Sequence, residues 1–325
     1  MFNFRKINPK STSEINTGFG INSSDYGGRF LNKNGNPNIE KKGLGYFERI
    51  SWYHVLLKMP RWKFFMIILL FYFFINILFG LIYFFLGVTQ FAGIPTHSAF
   101  EEFAESFFFS CQTFTTVGYG RISPIGFLAS LLSSFEALMG LLSFAVVTGL
   151  LYGRFSRPKA YVRFSENALL GPYIEGNAIM FRMAPFKNTT LTDAEAKVSL
   201  GLVVEENGKR VNKFFQLSLE YEKVNSLTLN WTIVHPITET SPFYNFTKED
   251  FKNAQGEILV YVKAFDDMFS NIVAARTSYT LNEVITGAKF EPMYHRSPNA
   301  KKTVLNLNKL NSFSEIDIDL NHVIK

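Results

Sequence analysis

Two long apolar runs dominate this chain. From Phe64 to Leu86, 23 residues follow one another without a charge, and Asn76 is the only strongly polar member. At about 1.5 Å of rise per residue, such a run crosses a hydrocarbon core of ~30 Å with some tilt. Ile125 to Gly153 repeats the pattern, with Glu136 as its sole charge. Lipid offers no partner to a backbone N–H or C=O, so each run is expected to be a helix that satisfies its own backbone. The expected bounds are 62–86 for the outer helix and 125–153 for the inner one. Lys58, Arg61 and Lys63 precede the first run, and Arg154, Arg157 and Lys159 follow the second. The positive-inside rule then puts both termini in the cytoplasm and the intervening loop outside. Sixty-three mostly polar residues stand before the first run, which argues against a cleavable signal peptide.

The charge is divided unevenly. Residues 1–63 carry 11 Lys/Arg against 4 Asp/Glu, residues 64–153 carry one against four, and the remainder is close to balanced. A basic arm beside an apolar block fits attraction to an anionic inner leaflet, and nucleic acid is not an expected partner. With one cysteine, Cys111, neither a disulfide framework nor a cysteine-based zinc site is available. His54, His97, His235, His295 and His322 show no metal-ligand spacing, and His235 beside Pro236 reads as a structural hydrogen-bonding residue. No phosphate loop or nucleophile elbow occurs, so neither an enzyme nor an organic cofactor is expected.

Residues 1–43, rich in Asn, Gly, Ser and Lys, are expected to be a disordered cytoplasmic arm. Residues 44–60 read as a short helix on the inner surface, ended by Pro60. From Lys159 the periodicity becomes strand-like. A hairpin is expected from Ala196–Glu205 and Val211–Glu220 about an Asn207-Gly208 turn, with further strands at Ala178–Met183, Leu227–Val234, Glu257–Phe265 and Ala275–Leu281. Residues 158–298 are therefore expected to form an all-β sandwich. The tail, 299–325, contains alternating Ile316, Asp317, Ile318 and Asp319, which suits an edge strand or a subunit contact.

Between the two runs lies Thr115-Thr116-Val117-Gly118-Tyr119-Gly120. Thr-Val-Gly-Tyr-Gly matches the selectivity filter of potassium channels, in which backbone carbonyls replace the ion's hydration shell. Glycine at 118 and 120 permits backbone angles that would be costly with a Cβ, so successive carbonyls can face one side. K+ is then expected at Thr116, Val117, Gly118 and Tyr119, and closing each ring of oxygens implies a homotetramer. Upstream, Ser98 followed by Glu101 is a capping-box pattern opening a pore helix over 98–114, whose C-terminal end favours a cation. Cys111 lies within it as a packing residue. Glu136 has two readings: behind the filter and bonded to backbone or hydroxyl groups, or near the outer end of its span and partly wet.

Residues 44–295 resemble the prokaryotic inward-rectifier potassium channels of the KirBac type. The likeness rests on Tyr53-His54-Val55-Leu56-Leu57 with Arg61-Trp62-Lys63-Phe64-Phe65, and on Thr148-Gly149-Leu150-Leu151-Tyr152-Gly153-Arg154-Phe155-Ser156-Arg157-Pro158. His235-Pro236-Ile237, Ser241-Pro242-Phe243, Ser278-Tyr279, Asn282-Glu283 and Phe290-Glu291-Pro292 extend it. The resemblance implies a slide helix, a transmembrane pore domain over 61–157 and a cytoplasmic immunoglobulin-like sandwich, in a cell inner (plasma) membrane. It further implies that Phe144 replaces an acidic cavity residue of strong rectifiers, giving weak polyamine block, and that Tyr152 narrows the gate beside Thr148 and Gly149. Gly149 is either a bend point or a close-packing position. Arg61, Lys63, Arg154, Arg157 and Lys159 would bind anionic lipid or phosphoinositide, or act only as topogenic charge. Asp267 to Arg276 would form a loop constricting the cytoplasmic pore. Gln112 and Arg121 depart from the family pattern, which has glutamate and commonly aspartate there. Two rivals remain: a membrane-anchored β-domain that binds or signals, and a less selective cation channel. A secondary transporter is disfavoured for want of an inverted repeat.

Overall fold

The computed structural model describes residues 7–14, 18, 29–43, 45, 51–94, 98–174, 176–206 and 209–316. The chain divides into two units, 42–157 and 1–41 with 158–325. The Asn207-Gly208 turn and the tail beyond 316 lie outside the described residues, as does most of 44–50.

In the first unit, α1 (Trp52–Lys58) is followed by Pro60, which also precedes α2 (Arg61–Leu86). Gly87, at φ 95, stops α2 by leaving the helical region. A short ladder joins β1 (Phe91–Ala92) to β2 (Ser123–Pro124), bracketing α3 (Ala99–Phe114) and the segment after it. Gly126 caps α4 (Phe127–Phe155), which runs unbroken through Gly149. A Cβ on Gly149 would meet nothing within 4 Å, so the chain itself does not pack there. Other glycines do set helix spacing: a Cβ on Gly80 would lie 3.0 Å from the Phe107 Cα, and one on Gly140 1.9 Å from the Phe114 carbonyl oxygen. Ile75, Phe79, Tyr83, Phe91, Phe109, Phe114 and Ile122 bury one another between these elements. Phe74, Phe85, Leu131, Leu138 and Val146 remain exposed on α2 and α4, an apolar surface suited to lipid or another copy.

The second unit is a sandwich of two five-stranded sheets around one core. The strands of its first half are β3 (Val162–Phe164), β4 (Ala168–Tyr173), β5 (Gly176–Pro185), β6 (Leu191–Glu206) and β7 (Lys209–Gln216). Then come β8 (Lys223–Leu227), β9 (Trp231–Pro236), the short helix α5 (Lys248–Asn253), β10 (Gly256–Asp266) and β11 (Asn271–Thr280). One sheet runs β11-β10-β6-β7 with β8 also on β6. The other runs β12 (Val284–Thr286)-β4-β5-β3 with β9 on β5. Leu170, Ile179 and Phe181 from one sheet meet the core built by Val198, Leu200, Ile258, Val260 and Tyr279 of the other. Burial on this scale contributes about 25 cal/mol per Å² of apolar surface.

Four expectations need correction. The single strand over Leu227–Val234 is two: β8 pairs β6, β9 pairs β5, and the chain crosses between sheets at 228–230. Apolar alternation continues across the crossing, so periodicity alone could not reveal it. Asp267 to Arg276 is mostly strand, because β11 begins at Asn271. Only a tight turn remains, where the buried Asp266 carboxylate accepts the N–H groups of Met268 (2.9 Å) and Phe269 (3.2 Å). The arm, expected to be disordered, is docked where it is described. Glu14 N–H reaches the Phe214 carbonyl and Gln216 N–H the Thr12 carbonyl, which covers the β7 edge. Arg29 pairs with Glu283 at 2.9 Å, and the fully buried Glu257 carboxylate accepts the Phe30 and Leu31 N–H groups at 2.5 and 3.0 Å. Those partners lie over 200 residues away, out of reach of a compositional argument. The tail belongs partly to the sandwich unit: β13 (Ala288–Phe290) pairs β16 (Phe313–Glu315), and β14 (Tyr294–Arg296) pairs β15 (Thr303–Leu305).

His235 on β9 is buried, donating from Nδ1 to the Ser218 carbonyl (2.6 Å) and accepting at Nε2 from the Ser241 hydroxyl (2.8 Å). Burial pushes its pKa down to about 4, against the opposing pull of the Ser218 carbonyl. The unfolded chain protonates this side chain near pH 6.5, so its contribution is complete above pH 6.5 and is lost as pH falls toward 4. At pH 5 the loss is about 2 kcal/mol. His235→Gln should therefore shrink the drop in melting temperature between pH 7 and pH 5; an undiminished drop would contradict this.

Candidate functional site

The pore segment is built outward from the C-terminal end of α3. Ser98 opens that helix by accepting the Glu101 N–H at 3.3 Å. At the far end, the carbonyls that a helix leaves unpaired are taken up by the residues that follow. Thr115 N–H goes to the Cys111 carbonyl (3.2 Å) and Thr116 N–H to Thr113 (3.0 Å). The Gln112 carbonyl accepts both Val117 N–H (2.9 Å) and Gly118 N–H (3.3 Å). Thr115 also spends its hydroxyl on Cys111 (2.7 Å), so it acts as a helix cap.

Beyond this cap the backbone alternates in hand. Gly118 (φ 54) and Gly120 (φ 80) occupy the left-handed region, and so does Thr116 (φ 58). Val117 and Tyr119 are not among the residues of positive φ. Alternation of this kind is compatible with successive carbonyls facing one side, as a cation path lined by backbone oxygens requires. For β-branched Thr116 this conformation is strained, which marks the position as held by its surroundings. The two glycines disclose their role in the sequence, whereas threonine gives no such sign.

Behind this segment lies a buried polar cluster. Glu136, on α4, is fully buried and accepts from the Tyr83 hydroxyl of α2 (2.5 Å) and the Ser110 hydroxyl of α3 (2.5 Å). It is thus not a wetted residue at the outer end of its span. Asn76 Oδ1 lies 3.0 Å from the same Ser110 oxygen, and the Asn76 amide donates to the Tyr72 carbonyl at 2.7 Å. Three helices meet through one carboxylate, and its α3 partner, Ser110, stands two residues before Gln112. Sequence reading found Glu136 and noted Asn76 but missed Tyr83 and Ser110. The signal available was spacing: Asn76 and Tyr83 stand seven apart, on one helix face. Phe91 and Phe109 ring Tyr83 with centroids at 5.4 and 5.1 Å, enclosing the cluster in aromatic surface. Arg121, one of the two departures, forms an ion pair with Glu105 of α3.

The remaining sequence-chosen residues are dispersed. Phe144, Thr148 and Tyr152 are exposed along α4. Arg154 donates to the carbonyls of Leu56 and Met59 (2.8 Å for Met59), and its guanidinium lies 4.5 Å from the centre of the Phe64 ring. It therefore caps the C-terminal end of α1, where a cation is favoured. Arg61, Lys63 and Arg157 are exposed in the same unit, while Lys159 belongs to the sandwich unit. Among the described residues no cluster of His, Cys, Asp and Glu is arranged to hold a metal ion.

Two membrane-length helices, a shorter helix and a segment of alternating backbone hand between them, with a β-sandwich following, are the parts of a two-span ion-channel subunit. Comparison with known proteins narrows the class. Residues 162–323 match the family described as inward rectifier potassium channel C-terminal domain, and residues 67–157 match the ion channel family. The inward rectifier potassium channel Kirbac3.1 of Paramagnetospirillum magnetotacticum is 33% identical over 294 residues, covering 88% of this chain and 96% of the relative. Inward rectifier potassium channel irk-1 of Caenorhabditis elegans is 25% identical, covering 90% of this chain and 56% of the relative. The human inward rectifier potassium channel 18 is 24% identical, covering 84% and 68% respectively. The chain belongs to the inward-rectifier potassium channel family, in its prokaryotic KirBac type.

Tyr83→Phe removes one of the two hydroxyls on a buried carboxylate. The expected cost is about 1–3 kcal/mol, read as a lowered thermal denaturation midpoint in detergent. A midpoint equal to that of the parent protein would show that the bond contributes nothing.

Proposed function

We propose that four copies of this chain form a potassium-selective channel that conducts passively through the carbonyls of Thr116, Val117, Gly118 and Tyr119. The observation that carries this reading is the alternating backbone hand at Thr116, Gly118 and Gly120, anchored by the Gln112 carbonyl. Support for assembly comes from what a single chain leaves bare: Val117 is 52% exposed and Tyr119 79%. Apolar and filter side chains exposed on this scale call for further copies about an axis. The α3 C-terminal end adds partial negative charge that favours a cation in the low-dielectric interior.

Gating is assigned to the inner helix, where Tyr152 would form a ring-lined constriction able to close by dewetting. Phe144 gives the cavity an apolar side chain at the position that is acidic in strong rectifiers, which favours weak polyamine block. Glu136 holds the pore helix from behind. Both termini face the cytoplasm of a cell inner membrane, as the basic flanks of the two spans favour. Anionic lipid modulates the channel through Arg61, Lys63, Arg157 and Lys159. Arg154, bonded to the end of α1, acts instead as the link between the interfacial helix and the inner helix.

The test is tracer flux into liposomes holding the full-length protein. Potassium or rubidium uptake should be blocked by barium, resist sodium competition and vanish in Gly118→Ala. Sodium passing as readily as potassium would overturn the carbonyl-filter reading, and uptake that survives Gly118→Ala would overturn the assignment of the path.

A further inference from the structure

Arg121 is the only Lys or Arg between Phe64 and Gly153, and it stands directly after Gly120, at the end of the filter segment. Its guanidinium pairs with the Glu105 carboxylate of α3. Two observations separate this pair from a structural brace. The Arg121 side chain is 55% exposed and that of Glu105 20%, and an ion pair this open to water adds little stability. The same stretch of backbone is also held by other means. Ile122 is buried, and β1 pairs β2 through Phe91 with Pro124 and Ala92 with Ser123. The Gln90 carbonyl accepts the N–H groups of Ile125 (2.9 Å) and Gly126 (3.1 Å). Gly93 lies so close to the Arg121 carbonyl oxygen that a Cβ on it would sit 2.0 Å away. The backbone at 121 is thus fixed by the ladder, and the side chain carries a charge that the fold does not need.

The consequence of that charge is electrostatic. Four copies about an axis place four guanidinium groups around one mouth of the path, and an uncancelled ring of cations repels the ion the path carries. Glu105 supplies one carboxylate to each guanidinium. Glu101 and Glu102, the other acids of α3, stand in its first turn, where the helix N-terminus favours negative charge. Resting on the filter reading above, we propose that the Glu105–Arg121 pair sets the rate at which potassium is captured at the outer end of the filter. Glu105 cancels a cation that otherwise opposes entry. Loss of one partner or the other therefore shifts capture in opposite directions. Glu105→Gln leaves four uncancelled guanidinium groups and slows entry, whereas Arg121→Gln leaves four uncancelled carboxylates and speeds it. Such a field extends about 30 Å at 0.01 M ionic strength and about 3 Å at 1 M, so the difference belongs to dilute solution.

The test is single-channel recording of the full-length protein in bilayers of neutral lipid, with barium block identifying the current. Potassium on the outer side is held at about 10 mM, and N-methylglucamine chloride sets the ionic strength. At about 0.01 M ionic strength the inward current should fall roughly three- to tenfold in Glu105→Gln and rise by a similar factor in Arg121→Gln. The double variant Glu105→Gln/Arg121→Gln should return to within about twofold of the parent. At about 1 M ionic strength all four proteins should carry similar currents. A rise in current cannot come from misfolding, and elution of every variant at the parent's volume in size-exclusion chromatography verifies assembly. The proposal is overturned if the two single variants move in the same direction, the behaviour of a brace, or if either matches the parent at low ionic strength. A parent that passes no barium-blocked potassium current overturns the filter reading itself, a result distinct from both.

Discussion

The Gln112 carbonyl accepts two N–H groups, from Val117 and Gly118, at the point where a helix gives way to an irregular segment between two membrane-length helices. Non-helical backbone at that depth is tolerable only if its polar groups find protein partners or line a water-filled path. The C-terminal carbonyls of α3 supply acceptors close by, and the segment takes them up. Much else follows from holding that end still. Gly140 lets α4 approach within contact of the Phe114 carbonyl, and Gly80 lets α2 approach Phe107. Glu136 then joins all three helices through the Tyr83 and Ser110 hydroxyls. A buried carboxylate is costly unless its lone pairs are taken, so the cluster also selects one register among the helices.

The sandwich unit meets a different constraint, that of sheet edges. β7 ends its sheet, and residues 12–14 of the arm pair with its backbone. A second contact lies at the opposite end of the same sheet: Arg29 reaches Glu283 and the Ser278 carbonyl, and the next two N–H groups close on Glu257. The arm thus completes the domain, and its polar composition reflects partners that are backbone groups and carboxylates. Two helix ends are likewise joined by one residue, since Arg154 near the end of α4 holds the carbonyls that end α1.

Legibility differed between elements for physical reasons. The spans were readable because a bilayer imposes a length and an apolar composition on any continuous crossing. The backbone demand at Gly118 and Gly120 was readable, because both occupy the left-handed region that few other residues adopt. Thr116 in the same left-handed region was not, since only its neighbours hold it there. Nor was the break between β8 and β9, because both sheets bury the same alternating face and the pattern passes over the crossing unchanged.

The sequence by itself thus determined the two membrane-length helices, the shorter helix between them, the glycine-bearing segment after it and an all-β unit. Each depends on local composition or spacing. Only the tertiary structure decided what closes on Glu136, which strands share a sheet, where the polar arm lies and that Arg154 caps a helix. These depend on groups far apart in the chain, whose meeting is fixed by the requirement that buried charges and sheet edges find partners.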